Sequence, residues 1–301
     1  MNLYIGGYGP GIVTPGGGLT RLASPSFLAA HPSLPVLYAV GELARGWLTA
    51  LSIADDGLRP LAERSSEGHS PCHVAVHPSG ELLAVANYGD GTASIHRLDP
   101  RGAFAGEPIV LRHHGTGPVA DRQECSHAHQ AVFHEDVLHV TDLGTDEIRR
   151  YALDGAPLEP ITLPPGTGPR HMVVDGPRLY VVGELDGHVH VLEGDGRTAA
   201  APASRIAGPN QPSHLDLADG LLYVGNRGPD TVSVLRADDL THVAEVPSGG
   251  RWPRHFAIGG GRLYVANQYS GTVAVFALEA GVPAPTGQAY EVESPACVLI
   301  R

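Results

Sequence analysis

The chain has 301 residues and a formal net charge of −12, which argues against nucleic acid and anionic membranes as partners because both are bound by basic surfaces. Its 39 glycines and 26 prolines interrupt helices and mark turns, and no sustained helical spacing of apolar residues is visible. Three cysteines without framework spacing argue against a disulfide scaffold. If such an acidic protein binds an anion, it must gather its few arginines locally.

The first predicted strand begins at Asn2 or Leu3, in the segment LYIGGYGPGIV, and leaves no room for a signal peptide. No apolar stretch approaches the length of about 18 residues that a membrane span needs. We therefore expect a reduced, cytoplasmic protein.

Six copies of one segment follow this strand in chain order. Each copy has a first strand, often opened by Pro-x-His, then a tight turn, a second strand rich in Leu, Tyr and Val, and a third strand. The copies begin at Ser24, Ser70, Ser126, Gly168, Gln211 and Trp252. Their spacing is 41 to 46 residues, except for one step of 56 that we attribute to an insertion from Leu111 to Glu124. A period of about 40–45 residues with several strands is typical of propeller blades.

The two ends of the chain together complete a seventh repeat. The segment SPACVLIR from Ser294 matches only the first strand, whereas LYIGGYGPGIV matches the second and third. A ring of sheets needs its first and last members hydrogen-bonded together. We therefore predict a single all-β domain over residues 1–301, a seven-bladed β-propeller of four-stranded antiparallel blades whose termini share one blade.

Aligning the copies converts sequence positions into columns around the central channel. One column of the first strand contains Phe27, His73, His129, His171, His214, His255 and Cys297. Converging imidazoles suit zinc or iron. However, a repeat places histidine in most blades whatever its chemistry, and each ring can donate a hydrogen bond to a neighbouring blade. We favour the second interpretation and predict no metal and no cofactor.

Two adjacent columns break the repeat and indicate the functional site. On one side of the ring they contain Arg170, Glu184, Arg227 and Arg254. The guanidinium fork matches carboxylate and phosphate, so clustered arginines in an acidic protein indicate an anion site. The competing interpretation is a structural salt bridge between the arginine and glutamate side chains.

Five segments carry a family resemblance that extends over nearly the whole chain. They are LLAVANYGDGTASIHRL, HAHQAVF with DLGTDEI, GPRHMVV with VGELDG, YVGNRGPDTVSVL and PRHFAIGGGRLYVANQYSGTV. Together they resemble the lactonase-type seven-bladed propellers, which include bacterial 6-phosphogluconolactonases and, more distantly, carboxymuconate-cyclising enzymes. The resemblance implies hydrolysis of a sugar-acid lactone, with 6-phosphogluconolactone as the expected substrate. The family's motif residues correspond to His129, Arg170, Glu184 and Arg227.

Lactone opening needs an activated water, stabilisation of the tetrahedral oxyanion and a proton for the leaving oxygen. Glu184 and His129 are expected to serve as base and acid, in an order that the sequence leaves open. Arg170 is expected to stabilise the oxyanion or hold the carboxylate. The predicted substrate-binding residues are Arg227, Arg254, His171, His73 and Glu42. The expected partner is a small anionic sugar lactone, and the protein is expected to be a monomer or a weak homo-oligomer.

Two other functions fit the same sequence. A lactone-forming cyclase or isomerase, acting on a carboxylic acid such as a muconate, would use the same residues, and substrate profiling would separate it. A binding or scaffold propeller is the second alternative, since fold alone does not decide function. Against a scaffold, the Arg, Glu and His residues are concentrated in particular blades.

Overall fold

The computed structural model describes residues 2–16, 18–194 and 196–301. The first fifteen strands are β1 (Leu3–Gly7), β2 (Gly11–Thr14), β3 (Gly18–Arg21), β4 (Phe27–Ala30), β5 (Val36–Gly41), β6 (Trp47–Ala54), β7 (Gly57–Ser65), β8 (Pro71–Val76), β9 (Leu82–Asn87), β10 (Thr92–Leu98), β11 (Phe104–Arg112), β12 (Ala128–His134), β13 (Val137–Asp142), β14 (Glu147–Ala152) and β15 (Pro157–Thr162). The remaining strands are β16 (Pro169–Asp175), β17 (Arg178–Gly183), β18 (His188–Glu193), β19 (Gly196–Pro202), β20 (Gln211–Ala218), β21 (Leu221–Arg227), β22 (Thr231–Arg236), β23 (His242–Pro247), β24 (Pro253–Gly259), β25 (Arg262–Asn267), β26 (Thr272–Glu279), β27 (Val282–Glu291) and β28 (Pro295–Ile300). A short 3-10 helix covers Gln268–Ser270. In the described ranges, no helix has the length and apolar character needed to span a membrane.

The strands form seven four-stranded antiparallel sheets, which confirms the predicted seven-bladed propeller. Blades 1 to 6 are β4–β7, β8–β11, β12–β15, β16–β19, β20–β23 and β24–β27, and blade 7 is β28 with β1–β3. In blade 7, β28 pairs antiparallel with β1, with Val298 opposite Ile5. The N-terminal segment supplies three strands rather than the expected two, because Gly18–Arg21 adds the outer strand β3.

The core lies between neighbouring blades. One apolar cluster packs Val74 of blade 2 against Tyr38 and Leu48 of blade 1, and another packs Val298 of blade 7 against Val265 of blade 6. The second strands are covered on both faces in this way and therefore consist of continuous apolar runs such as LLAVAN.

A β-bulge interrupts the first strand of six blades close to where that strand begins. The residues left without a partner on the second strand are Cys72, His129, Arg170 with His171, Ser213 with His214, Arg254, and Ala296. A bulge bends the strand and redirects its side chains. Four of the predicted site residues, His129, Arg170, His171 and Arg254, are therefore placed by a local irregularity of the sheet.

Blade 3 departs by one residue from the predicted alignment. Gln130 stands opposite the second strand at the position that His73 has in blade 2. Its Oε1 accepts the N–H of Met172 in blade 4 at 2.6 Å, just as Nδ1 of His73 accepts the N–H of Ala131 in blade 3 at 3.4 Å. The prediction that His129 belongs to the histidine column is therefore wrong.

The shift arises in the insertion that precedes blade 3. Strand β11 continues to Arg112, so the irregular segment covers residues 113–127 rather than the predicted Leu111–Glu124. In the other blades a proline leads into the first strand. In blade 3 the corresponding two residues are His127 and Ala128, without a proline. The next residue, His129, consequently falls on the bulge.

Candidate active site

A cavity of about 210 Å³ lies at the end of the ring where the first strands begin and the second strands end. Six predicted site residues line it: Glu42, His129, Arg170, Glu184, Arg227 and Arg254. The sequence interpretation did not assign the other three lining residues, Cys72, Tyr88 and Arg122, to the site. Of the other two predicted residues, His171 lines an adjoining narrow space, and His73 lies outside both linings.

A repeated backbone contact brings the ends of the second strands to this cavity. In five blades, the residue before the proline that leads into the first strand uses its carbonyl to accept the N–H of the residue after the second strand, at 2.9–3.0 Å. The pairs are Ser24 with Glu42, Ser70 with Tyr88, Gly168 with Glu184, Trp252 with Gln268, and Ser294 with Tyr8. The accepting residue has a φ between 46° and 64° in all five. This left-handed turn and the bulge behind it place the side chains of two strands on one rim.

Glu184 lies among three arginines. Its Oε1 accepts a hydrogen bond from Nη2 of Arg122 at 2.5 Å, and its Oε2 accepts one from Nη2 of Arg227 at 2.6 Å. Nε of Arg170 lies 2.9 Å from Oε2, as an ion pair without hydrogen-bond alignment. Burial by itself would raise the pKa of the Glu184 carboxyl, but Arg227 and Arg170 lower it well below its usual range. The Arg–Glu pairing that competed with the anion-site interpretation is therefore present.

This pairing does not neutralise the cavity, because its lining contains four arginines and two carboxylates. Nη2 of Arg254 donates to the hydroxyl of Tyr8 at 2.5 Å, and that hydroxyl donates to Glu42 at 2.9 Å. Burial, followed by the charge of Arg227, lowers the pKa of Arg170 to about 9, so this guanidinium stays charged at neutral pH. The excess of positive charge suits an anionic ligand.

His129 contributes a buried, neutral imidazole. Burial, followed by the charge of Arg170, lowers the pKa of His129 well below that of an ordinary histidine. Within the described part of the chain, its buried Nδ1 has no hydrogen-bond partner. The ring lines the cavity, and a neutral imidazole in this position can accept a proton from a bound water.

Aromatic rings from the first strands close the channel beside the cavity. The ring centroid of His171 lies 5.5 Å from that of His73, 5.1 Å from that of His214 and 6.0 Å from that of Phe27 on the other side of the channel. The space lined by Phe27 and His171 is only about 10 Å³. These rings form the floor of the cavity.

His73 and His255 contact a neighbouring blade as hydrogen-bond acceptors, and not as the donors expected from the sequence, whereas Nδ1 of His171 and Nδ1 of His214 lie 2.8 Å apart across two blades, so that one of them donates. Nδ1 of His255 accepts the N–H of Val298 at 3.3 Å, in the same way as Nδ1 of His73 accepts from blade 3. Burial lowers the pKa of both histidines to about 3. They are neutral rings that satisfy backbone N–H groups.

Cys72 and Arg122 differ in what they offer the cavity. The Cys72 thiol donates to the carbonyl of His129 at 3.2 Å, and burial raises its pKa, so it is a packing residue and not a nucleophile. Arg122 comes from the insertion and could not be found by aligning the copies. The sequence offered one indication of its role, namely that an arginine lies within the only long insertion of an acidic chain.

Among the residues that the structure describes, Glu124, Cys125 and His127 have possible metal-ligand atoms within 4.8 Å of one another. They lie on the insertion, outside the cavity lining. Nδ1 of His127 is 2.8 Å from the carbonyl of Tyr88, and its Nε2 is 3.3 Å from the carboxylate of Glu124. These contacts hold the ring in place without an ion.

A larger groove of about 670 Å³ lies at the opposite end of the ring, where turns such as Ser79–Leu82 meet. Its described lining includes Arg97 and Asp99 but no group of buried charged side chains. Catalytic groups are typically found where burial and neighbouring charges act together. The smaller cavity is therefore the candidate active site.

Comparison with known proteins agrees with this architecture. Residues 11–300 match the family model described as "Lactonase, 7-bladed beta-propeller". The chain is 30% identical over 257 residues to the 6-phosphogluconolactonase of Bacillus subtilis, which covers 77% of this chain and 73% of that protein. It is also 30% identical over 238 residues to the 6-phosphogluconolactonase of Formosa agariphila, covering 71% and 67%. The structure of the periplasmic gluconolactonase of Pseudomonas aeruginosa superposes with a TM-score of 0.90 at 26% identity, covering 99% of this chain and 98% of that chain. The chain belongs to the lactonase family of seven-bladed β-propellers.

Proposed function

We propose that the protein hydrolyses a sugar-acid lactone, with 6-phosphogluconolactone as the substrate and 6-phosphogluconate as the product. The observation that carries the proposal is one cavity in which an excess of arginines meets the neutral ring of His129. Family membership supports the reaction class, and relatives named 6-phosphogluconolactonase support the substrate.

In this mechanism His129 is the general base. Its neutral ring accepts a proton from the water that attacks the lactone carbonyl, and it returns that proton to the ring oxygen as the C–O bond breaks. Glu184 is poorly suited to this task, because both of its oxygens are bound to arginines. It instead holds Arg122, Arg170 and Arg227 in position.

Arg170 stabilises the oxyanion that forms during attack. Its Nη1 donates to the carbonyl of Ser213 in the next blade, and its Nε is paired with Glu184, so the guanidinium is fixed before the substrate arrives. Fixed donors at the position of a developing charge lower the barrier without reorganisation. Arg227, which stacks over Trp252 at 5.4 Å, and Arg254 hold the anionic substrate.

An assay with freshly generated 6-phosphogluconolactone, corrected for spontaneous opening, tests the proposal. We expect the wild-type protein to exceed the spontaneous rate and His129→Gln to lower kcat by about 10²- to 10⁴-fold, the usual contribution of a general base. His255→Gln is the matched control, since glutamine already occupies the equivalent position in blade 3 as Gln130. Wild-type protein no faster than solvent would refute the function. Full activity of His129→Gln would refute only the assignment of the base.

We also propose that the protein acts in the cytoplasm. Cys72, Cys125 and Cys297 are all free thiols, as suits a reducing compartment. The relative from Pseudomonas aeruginosa is periplasmic, so likeness to these proteins does not by itself decide the compartment. Fractionation of the native host with an antibody to this chain would decide, and recovery in a periplasmic or secreted fraction would contradict the proposal.

A further inference from the structure

The cavity alone is small for a phosphorylated sugar. Its volume of about 210 Å³ lies below the range of about 300–1,000 Å³ that is typical of ligand sites. A groove of about 570 Å³ adjoins it on the outside, and of the described residues only Arg122 and Glu184 line both spaces. A ligand whose reacting end lies beside His129 therefore extends past Arg122 into the groove.

Arg122 keeps one whole edge of its guanidinium available for a ligand. Both of its hydrogen bonds come from Nη2, to Glu184 at 2.5 Å and to the hydroxyl of Tyr88 at 3.4 Å. Within the described ranges, its Nε and Nη1 remain for a ligand. Its side chain is 33% exposed, compared with 3% for Arg170 and 5% for Arg227.

Arg227 and Arg254 each use two different nitrogens of the guanidinium for hydrogen bonds within the protein. Nε of Arg227 donates to the carbonyl of Gln211 at 2.9 Å, in addition to the Nη2 contact with the central carboxylate. Arg254 donates from Nη2 to Tyr8 and from Nη1 to Gln268 at 3.5 Å. Neither of these two guanidinium groups therefore presents an Nε and Nη1 edge without protein contacts.

The insertion presents Arg122 from a fixed turn. The fully buried side chain of Gln123 donates from Nε2 to the carbonyl of Leu143 at 2.9 Å and to Oδ1 of Asp146 at 2.8 Å. Its Oε1 accepts the N–H of Val119 at 3.0 Å. Because these contacts fix the turn that carries Arg122, its side chain loses little conformational freedom when an anion binds.

We infer that Arg122 binds the phosphate group of the substrate where the cavity meets the groove, and that it thereby selects phosphorylated over unphosphorylated sugar lactones. The inference rests on the proposed function. A phosphate dianion is costly to remove from water, so a half-exposed position suits it better than the buried cavity. The free Nε and Nη1 edge of the guanidinium can meet two of its oxygens.

Two substrates that differ only in the phosphate test this role. We expect Arg122→Gln to lower kcat/KM for 6-phosphogluconolactone by about 10- to 100-fold, mainly through KM, as for the loss of charged hydrogen bonds. The same variant should change kcat/KM for unphosphorylated gluconolactone by less than about threefold. Arg122→Lys, which keeps the charge but not the fork, should be intermediate. Arg101→Gln is the matched charge control, because its side chain is 80% exposed.

An equal fall on both lactones would overturn the inference, because Arg122 would then act only by holding Glu184. If wild-type protein opens neither lactone faster than solvent, the proposed function fails and the phosphate site is judged separately by calorimetry with 6-phosphogluconate. Binding that is at least about tenfold weaker in Arg122→Gln than in wild type supports the site. Equal binding by both proteins, or no binding by wild type, overturns it.

Discussion

Glu184 illustrates how one side chain organises several others. Its carboxylate is 4% exposed and contacts an arginine of its own blade, one of the next blade and one of the insertion, namely Arg170, Arg227 and Arg122. Three cations could not be buried so close together without an anion between them. The carboxylate therefore has a structural role as well as its place in the candidate site, and its loss should be visible in stability.

We expect Glu184→Gln to lower the free energy of unfolding by about 3 kcal/mol at pH 7, because it leaves buried arginines uncompensated. The folded-state pKa of this carboxyl lies well below the unfolded value of about 4.3. Its stabilisation is therefore fully present above that unfolded value and is lost as the pH falls through the folded pKa. Urea unfolding of wild type and variant at pH 7 and pH 3 measures both effects.

Glu107→Gln provides the control for this experiment, because Glu107 is an exposed glutamate on β11. The difference between wild type and Glu184→Gln should be large at pH 7 and smaller at pH 3. A deficit at pH 7 no larger than that of Glu107→Gln would show that the arginines do not need this carboxylate.

At the scale of the strand, the site depends on how each first strand begins. Gly168 has a φ of 58°, its carbonyl accepts the N–H of Glu184 at 2.9 Å, and its own N–H donates to Oδ1 of Asp146 at 2.7 Å. The bulge that follows frees Arg170 from regular pairing. This single turn therefore sets the positions of Arg170 on the first strand and of Glu184 after the second strand.

Gly168→Ala should disturb this turn. A Cβ at this position would collide with the side chain of Leu185, next to Glu184, in addition to the cost of a left-handed alanine. Gly176→Ala is the matched control, because Gly176 has a φ of 55° but open space around its Cβ. We expect Gly168→Ala to lower both activity and thermal stability, with a loss about 1–2 kcal/mol greater than that of the control. Equal losses in the two variants would contradict the steric argument.

The strands also show what the sequence could and could not predict. Apolar second strands such as LLAVAN recur at nearly constant spacing, and this spacing alone predicts the ring and its closure. The bulges are invisible in that pattern, because the number of residues in a strand does not reveal which of them lacks a partner. His129 was assigned to the wrong column because the insertion shifts blade 3 by one residue, and this shift places His129 on the bulge and in the lining of the cavity.

Arg122 was missed for a different reason. It lies in the irregular segment 113–127, which has no counterpart in the other copies, so no column contains it. Its position depends on the neighbouring Gln123, whose side chain binds Leu143 and Asp146 of blade 3, which are 20 and 23 residues further along the chain. Contacts of this kind follow from tertiary packing and leave no periodic signal.

For the whole molecule, the strand β28 closes the ring. It pairs with β1 and packs against β24 and β4, the first strands of blades 6 and 1. Val298 is 2% exposed and belongs to the apolar cluster between blades 6 and 7. Without this strand, blades 6 and 1 would each lose a neighbour and β1 would become an open sheet edge.

We expect a chain that ends at Glu293 to lose cooperative unfolding, as followed by circular dichroism and differential scanning calorimetry. A synthetic peptide of residues 294–301 should restore the transition, because it supplies the missing strand. The same peptide with Val298→Asp should not, since a charge would enter the apolar cluster without a partner. A truncated chain that melts like the full one would show that the ring does not depend on β28.

The aromatic floor of the cavity has a consequence for turnover. Because Phe27 and His171 leave only about 10 Å³ beside the cavity, we expect ligands to enter and leave by the rim where the second strands end. Whatever enters must reverse along the same path, and an anionic product must leave past the arginines that attracted the substrate. A stronger attraction between the arginines and the anion therefore speeds substrate binding and slows product release. The best positive charge at the rim is a compromise between these two rates.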